Sequence, residues 1–188
     1  MNEIKRYFEN MVTLSDKDWE LFSSKLVRRE FKKNSVVLKA GQVENYLSFI
    51  ETGMVRYYIP REIDDLTFEF IFAGNFVSAY DSFLTRQPST SQIATLTKTA
   101  VWSVSFEDLQ QIYAETNIGN TIGRLASEGL FINKSKREVS LLNQSAEERY
   151  LNLFKEQPQL LRHIPLKYIA SYIGITPQAL SRIRKRIS

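Results

Sequence analysis

The stretch from Leu166 to Ile187, LKYIASYIGITPQALSRIRKRI, has the pattern of two short helices joined by a tight turn. Gly174 can adopt the left-handed backbone conformation that such a turn requires. Thr176 is a favourable N-cap, and Pro177 follows at the first helical position, where its missing N–H costs nothing. The spacing therefore predicts a helix-turn-helix with a defined start to its second helix.

Each of the two predicted helices has an apolar side, and the second also has a polar side. The inward positions are expected to be Ile169, Ala170, Ile173, Leu180, Ile183 and Ile187. The opposite face of the second helix carries Gln178, Ser181, Arg182 and Lys185. Side chains three and four positions apart line up along a helix, so these four are expected to form one surface.

The residue types on that polar face are those that read DNA. Gln can bond adenine with two hydrogen bonds, Arg can bond guanine or phosphate, and Ser can bond bases or backbone. We predict base contacts from Gln178, Ser181 and Arg182, and phosphate contacts from Thr176, Arg184 and Lys185. The alternative is a generic helical hairpin whose basic face is only solvated.

The charge of the chain is distributed unevenly. From Gln157 to Ser188 there are six Lys or Arg residues and no acid, whereas the other 156 residues hold 19 basic and 21 acidic residues. A net charge of −2 is therefore followed by a segment of +6, out of a total of +4. This asymmetry predicts a polyanion-binding surface near the C-terminus.

Composition excludes several kinds of site. With no cysteine, the chain has no disulfide, thiolate zinc site or cysteine-ligated cluster, and with only His163 it has no multi-histidine metal site. We therefore expect neither a metal site nor an enzyme, because a catalytic cupin-like barrel uses clustered histidines. The sequence has no apolar run of membrane-spanning length and no signal-peptide pattern, so a cytoplasmic location without membrane contact is expected.

The N-terminal half changes from helical to strand periodicity. Leu14 to Arg29 is predicted to be an amphipathic helix capped by Ser15, and from Phe31 to Phe106 the apolar period is two. The predicted strands are Ser35–Lys39, Tyr46–Glu51, Met54–Ile59, Leu66–Phe72, Ser91–Thr97 and Ala100–Ser105, with a short one near Phe76. Glu51 to Gly53 is expected to be a hairpin loop. Such a series of strands predicts an antiparallel barrel or jelly roll.

A long helix is predicted after a short one at Phe106–Ala114. Between Asn117 and Leu142 apolar or small residues recur in alternating steps of four and three, apart from Lys136, which occupies one position of the pattern. The seam contains Ile118, Ile122, Leu125, Gly129 and Ile132. A narrow heptad seam is typical of a two-stranded dimer helix, so a homodimer is expected. The alternative is a helix packed on its own barrel.

Asn143 to Ala146 is the predicted boundary of the last domain, where Ser145 and Glu148 form a capping box. The next helix is expected to turn Tyr150, Leu151 and Phe154 inward. The predicted fold is α+β: a sensor domain over 1–116 with an N-terminal antiparallel β-roll, a dimerisation helix over 117–142, and a helix-turn-helix domain over 143–188.

This order of parts resembles the CRP/FNR superfamily, the regulators related to the catabolite activator protein. The likeness rests on Gly41, Gly53 and the Gly74-Asn75-Phe76 segment of the roll, together with IASYIGITPQALSRIRK near the C-terminus. The resemblance implies a cyclic-nucleotide-binding-like roll, double-stranded DNA as a partner, and RNA polymerase as a further candidate partner. Relatives continue into a β-hairpin wing, whereas this sequence ends at Ser188, so Arg184, Lys185 and Arg186 are expected to take over its phosphate contacts.

The resemblance also places an effector pocket in the roll, at Gly74, Ser78, Ala79, Tyr80, Thr90 and Ser91. In the family an acid binds the ribose and an Arg-Ser pair binds the phosphate. Here Ser78-Ala79-Tyr80 stands at the place of the acid, Ser89-Thr90-Ser91 stands near the Arg-Ser place, and Arg86 lies a few residues early. A phosphate pocket without its arginine loses its strongest hydrogen bonds, so no cofactor and no cyclic nucleotide is expected.

The sequence therefore predicts a homodimeric transcription regulator that reads a pseudo-palindromic operator, under the control of an unidentified effector. The alternative is an effector-binding module whose C-terminal hairpin contacts a protein partner instead of DNA.

Overall fold

The computed structural model describes residues 1–116 and 118–187. Within this part the strands are β1 Val27–Phe31, β2 Val36–Leu38, β3 Tyr46–Thr52, β4 Met54–Ile59, β5 Leu66–Phe72, β6 Phe76–Val77, β7 Gln92–Thr95 and β8 Thr99–Ser105. The helices are α1 Asn2–Glu9, α2 Asp16–Ser24, α3 Tyr80–Thr85, α4 Phe106–Glu115, α5 Gly119–Asn143, α6 Ala146–Glu156, α7 Pro158–His163, α8 Leu166–Tyr172 and α9 Pro177–Ile187. Asn117, where the predicted dimerisation helix begins, and Ser188, where the predicted last domain ends, lie outside the described residues.

The strands form two four-stranded sheets, ordered β1-β8-β3-β6 and β2-β7-β4-β5. The pairs of β8 with β1 and β3 are antiparallel, and Val101 lies opposite both Arg29 and Ile50. Pairs β2·β7, β3·β6 and β4·β7 are antiparallel as well. This arrangement confirms the predicted jelly roll, in which two sheets face each other.

Gly53 is a corner between the two sheets and not a hairpin turn, so the prediction for Glu51 to Gly53 is wrong. Strand β3 belongs to the first sheet and β4 to the second. Gly53 has a φ of +94°, and a Cβ there would lie 2.6 Å from the carbonyl oxygen of Lys98. Only glycine fits this backbone contact without displacing the neighbouring strand.

The prediction of one helix over Leu14–Arg29 is also wrong, because α2 ends at Ser24 and β1 begins at Val27. The Ser15 cap is confirmed, since its hydroxyl accepts a hydrogen bond from Asp18 N at 3.1 Å. Five consecutive residues of β1 pair with β8, so tertiary hydrogen bonds override a locally helical composition. Helices α1 and α3 were not predicted.

Contacts divide the chain into two compact units. The first contains Met1–Tyr58 and Phe70–Glu128, and the second contains Ile59–Glu69 and the chain from Gly129 onward. Aromatic and aliphatic side chains from α1, α2, α3, α4 and the roll form one core in the first unit; its buried members are Ile4, Phe8, Phe22, Phe49, Phe83, Val104, Leu109 and Ile112. The three-part domain division stays a prediction.

The second unit has its own core beneath the C-terminal helices. Its buried apolar residues are Tyr150, Leu153, Leu160, Ile164, Ile169, Ala170, Tyr172, Ile173 and Leu180. Leu151 and Phe154 are 38% and 52% exposed, so the prediction that they point inward is wrong. Helical spacing places Leu153, three positions after Tyr150, on the inner face instead. Ile187 is exposed too, because it lies in the last turn of α9, beyond the reach of that core.

Candidate nucleic-acid interface

The turn between α8 and α9 has the hydrogen bonds of a Schellman motif. Gly174 has a φ of +80° and donates its N–H to Ser171 O at 3.1 Å, and Ile175 donates its N–H to Ala170 O at 3.0 Å. These two bonds satisfy carbonyls that a helix end otherwise leaves without a partner. The predicted glycine turn is confirmed, and it fixes the direction in which α9 leaves α8.

The start of α9 is capped as predicted. The Thr176 hydroxyl oxygen accepts a hydrogen bond from Ala179 N at 3.2 Å, and Thr176 O accepts from Leu180 N at 3.0 Å. A threonine hydroxyl that accepts this bond still carries a hydrogen that it can donate to a phosphate oxygen. The cap and a phosphate contact by Thr176 are therefore compatible.

The two faces of α9 separate as the sequence spacing predicts. Leu180 is buried against α8, whereas Gln178, Ser181, Arg182 and Lys185 are all exposed on the opposite face. The structure thus brings the predicted base-reading residues together on one surface. Whether they contact DNA stays a prediction.

The three cations at the end of α9 differ in what they contact. Arg184 and Lys185 are exposed. Arg186 forms an ion pair with Glu147 at the start of α6. The Arg186 guanidinium is therefore bonded within the protein, in contrast to the expectation that it contacts phosphate.

Arg149 supports the α8–α9 turn, and sequence reasoning missed it. Its Nε donates to Ile173 O at 2.9 Å, and its Nη1 donates to Gln144 O. Both acceptors are backbone carbonyls, and Ile173 lies 24 residues away in the chain. No local pattern of residue types indicates such a contact, because the acceptor is a group that every residue has.

In the roll, the predicted effector residues Ser78 and Ala79 use their backbone groups within the fold. The Tyr57 hydroxyl accepts from Ser78 N at 2.8 Å and donates to Ser78 O at 2.9 Å. Glu44 accepts from Tyr46 N at 3.0 Å and, over a longer 3.5 Å, from Ala79 N. Burial raises the pKa of the Glu44 carboxyl, against the opposing effect of these backbone hydrogen bonds.

The other predicted effector residues are dispersed. Tyr80 lies in α3 with its hydroxyl 3.4 Å from that of Ser127, and Ser91 donates its N–H to the hydroxyl of buried Ser89 at 3.1 Å. Thr90 and Gly74 are exposed. Their assignment as an effector pocket stays a prediction.

Arg86, the arginine nearest to the expected phosphate clamp, is engaged in the first unit. Its guanidinium donates to Glu44 O at 2.7 Å and to Asn45 Oδ1, and it lies 4.6 Å from the centroid of the Phe106 ring.

A cavity of about 360 Å³ opens beside Glu44. It is lined by Arg29, Leu38, Ser48, Ile93 and neighbouring residues, and not by the predicted effector residues.

The predicted dimer seam lies on α5 and just before it. Ile118, Ile122 and Leu125 are half-buried, whereas Gly129 is exposed and Ile132 is 51% exposed. Val139, one heptad after Ile132, is 60% exposed. The second half of α5 therefore has apolar side chains that are exposed to solvent in the single chain.

Comparison with known proteins agrees with this architecture. Residues 28–116 match the family described as the cyclic nucleotide-binding domain. FixK2 from Bradyrhizobium japonicum is similar, with a TM-score of 0.73 at 15% identity over 86% of this chain and 84% of that chain. A protein of the CRP/FNR family from Eubacterium rectale gives 0.71 at 15% identity, over 93% and 83%. A CooA variant from Carboxydothermus hydrogenoformans gives 0.69 at 14% identity, over 95% and 81%.

Residues 28–116 are therefore similar to the cyclic nucleotide-binding domain family. The chain as a whole has the fold of the CRP/FNR transcription regulators, which confirms the resemblance seen in the sequence. No curated protein sequence matches the chain. In the described part of the chain, no helix is both long and apolar enough to cross a membrane.

Proposed function

We propose that this chain is a homodimeric, cytoplasmic DNA-binding transcription regulator that inserts two copies of α9 into successive major grooves of a pseudo-palindromic operator. The observation that carries the proposal is the exposed polar face of α9, with Gln178, Ser181 and Arg182 on one surface. In a dimer the two recognition helices would lie about 34 Å apart, one turn of duplex. RNA polymerase is the further candidate partner.

The test is duplex binding by the full chain as a function of salt. With Arg184 and Lys185 on phosphates, each chain neutralises two phosphates and a dimer neutralises four. The slope of log K against log salt should then be about −4. Selection from random duplexes should yield two inverted half-sites. A slope near zero would instead favour the alternative function, in which the hairpin contacts a protein partner.

The homodimer is supported by the apolar face of α5 that the single chain leaves exposed. Ile132→Lys places a charge in the seam at a position that is already half exposed, so the folded chain should tolerate it. Asn133→Lys, at the adjacent exposed position off the seam, is the matched control. Sedimentation should give monomers for the first variant and dimers for the second; a dimer with Ile132→Lys would show that the seam is elsewhere.

We further propose that the roll does not take a cyclic nucleotide and that any effector has different chemistry. The support is that Ser78, Ala79 and Arg86 hydrogen-bond within the fold. An effector would act by favouring one arrangement at Asn143 to Ala146 over another. A ligand that binds the folded state raises Tm, so cyclic AMP at 1 mM (about 100 times a 10 μM Kd) should leave Tm unchanged. A rise of several degrees would contradict the proposal.

A further inference from the structure

Arg137 of α5 contacts the end of α8. Its Nη2 donates to Tyr172 O at 2.5 Å, and its guanidinium carbon lies 3.8 Å from the centroid of the Tyr172 ring. The side chain is half-buried, and this burial lowers the pKa of Arg137 from its ordinary value. At 100° per residue, Arg137 lies on the side of α5 away from Ile132 and Val139. Ile132 and Val139 of α5 and the contact with α8 therefore lie on different faces of one helix.

The contact from Arg137 completes the set of hydrogen bonds at the end of α8. A helix leaves its last four carbonyls without intrahelical partners. Backbone N–H groups of the turn satisfy Ala170 O and Ser171 O. Arg137 satisfies Tyr172 O, and Arg149 satisfies Ile173 O. Cations are favourable at this negative end of the helix dipole, so both arginines stabilise the turn that precedes α9.

Ser171 links the same helix to the segment Ile59–Glu69, which contains the end of β4, the following loop and the first half of β5. Its hydroxyl accepts from Thr67 N at 2.8 Å and donates to Asp65 O at 2.7 Å. Lys134, one turn before Arg137, forms an ion pair with Glu69 of that segment at 3.6 Å. Helix α5, the segment and α8 thus contact one another within the second unit.

We propose that Arg137 and Ser171 form a clamp that fixes the α8–α9 turn and thereby orients α9 for DNA. The inference rests on the proposed function, and it assigns Arg137 as a positioning residue that does not touch DNA. A looser turn populates the binding orientation for a smaller fraction of the time, and the apparent affinity falls by that fraction. The number of phosphates neutralised stays the same.

The experiment compares Arg137→Gln with Arg184→Gln on a duplex selected by the wild-type chain. Arg137→Gln should weaken binding about tenfold, as expected for the loss of a hydrogen bond from a charged group, with the salt slope unchanged. Arg184→Gln should reduce the magnitude of the slope by about 2 per dimer, because each chain loses one phosphate contact. Arg124→Gln is the matched control, since Arg124 lies on the same helix in an exposed ion pair with Glu128.

Two further variants separate positioning from folding. Arg137→Lys keeps the charge but not the planar guanidinium, so it should restore part of the affinity. Ser171→Ala removes the bonds to Asp65 and Thr67 and should weaken binding with the salt slope again unchanged. Wild-type affinity in both Arg137→Gln and Ser171→Ala would overturn the clamp. A salt slope of reduced magnitude in Arg137→Gln would overturn it too, because Arg137 would then be a phosphate contact.

Hydrogen exchange without DNA distinguishes failure of the clamp from failure of the proposed function. The amides of Gly174 and Ile175 should exchange at least several-fold faster in Arg137→Gln than in the wild-type chain, while amides of the roll stay unchanged. Unchanged exchange at the turn overturns the clamp. A wild-type chain that binds no duplex overturns the proposed function, and the exchange result then decides the clamp by itself.

Discussion

The exposed face of α9 and the loop from Ser78 to Ser91 in the roll have similar side chains but use them differently. Both contain serine and arginine, the residue types that bind phosphate. In the described part of the chain, no hydrogen bond from another residue reaches the side chains of Gln178, Ser181 or Arg182. In the roll loop, by contrast, Arg86 donates to Glu44 and Asn45, and Ser78 is bonded to Tyr57.

This comparison shows that residue type alone does not define a binding surface. A polar group can bind a ligand at low cost only where it exchanges bonds to water for bonds to the ligand. A donor whose hydrogen is already bonded within the fold must first lose that bond. The face of α9 is thus free to bind, whereas the roll loop would have to rearrange.

The largest expected effect comes from substituting one arginine in each region, Arg182 in α9 and Arg86 in the roll loop. Arg182→Gln should weaken operator binding by about 10- to 100-fold and remove the preference at one base position, because an Arg–base contact contributes about 1–3 kcal/mol. Its free energy of unfolding should stay within about 0.5 kcal/mol of wild type, as for an exposed site.

Arg86→Gln is the matched substitution in the roll, and it should give the opposite result. Loss of the bonds to Glu44 O and Asn45 should lower the free energy of unfolding by about 1–3 kcal/mol and leave operator affinity unchanged. Selected-site binding and urea unfolding of both variants are the measurements. If Arg86→Gln weakened DNA binding and kept wild-type stability, the distinction between the two regions would fail.

The next effect concerns the Tyr57 hydroxyl. Tyr57→Phe keeps the ring but leaves Ser78 N and Ser78 O without their partner, which should cost about 1–2 kcal/mol of stability. Tyr46→Phe is the control, because Tyr46 is 39% exposed and its change should stay within about 0.5 kcal/mol. Equal stability of the two variants in urea unfolding would show that the Ser78 bonds are readily replaced by water.

The sequence predicted some helices and strands of this protein more accurately than others. The bounds of β4 and β5 were predicted correctly, and so was the start of α9, because alternation, capping and the Thr-Pro pair are local signals. β1 was missed because Arg28, Arg29 and Glu30 are compatible with a helix, and only pairing with β8 makes them a strand. Local signals therefore identified the helices and strands whose conformation does not depend on pairing with a distant segment.

The candidate sites divide in the same way. Gln178, Ser181 and Arg182 were predicted because their exposure follows from spacing along one helix. The contacts of Arg137 and Glu44 were not predicted, since they join residues that are distant in the chain or that bond backbone groups. Sequence patterns indicate which side chains face outward, but they do not indicate which polar groups the fold will use internally.

The smallest expected effect is the pH dependence that Glu44 gives to stability. Burial raises its folded-state pKa above the ordinary value of 4.5, so the folded chain binds more protons than the unfolded chain between these two values. The stabilisation is therefore fully present below about pH 4.5 and is lost as pH rises through the raised pKa. Glu44→Gln removes this titration, so the wild-type chain should lose stability relative to the variant between pH 4 and pH 7 in urea unfolding.

Glu30→Gln is a control of opposite sign, because the hydrogen bond from Arg28 lowers the pKa of Glu30. Here the wild-type chain should gain stability relative to the variant as pH rises from the lowered pKa to about 4.5, and this gain should be fully present above that pH. The same sign for both carboxylates would mean that the backbone hydrogen bonds to Glu44 outweigh the effect of its burial. The Ala79 amide would then be held more firmly within the fold, and the contrast between the roll loop and the face of α9 would be sharper.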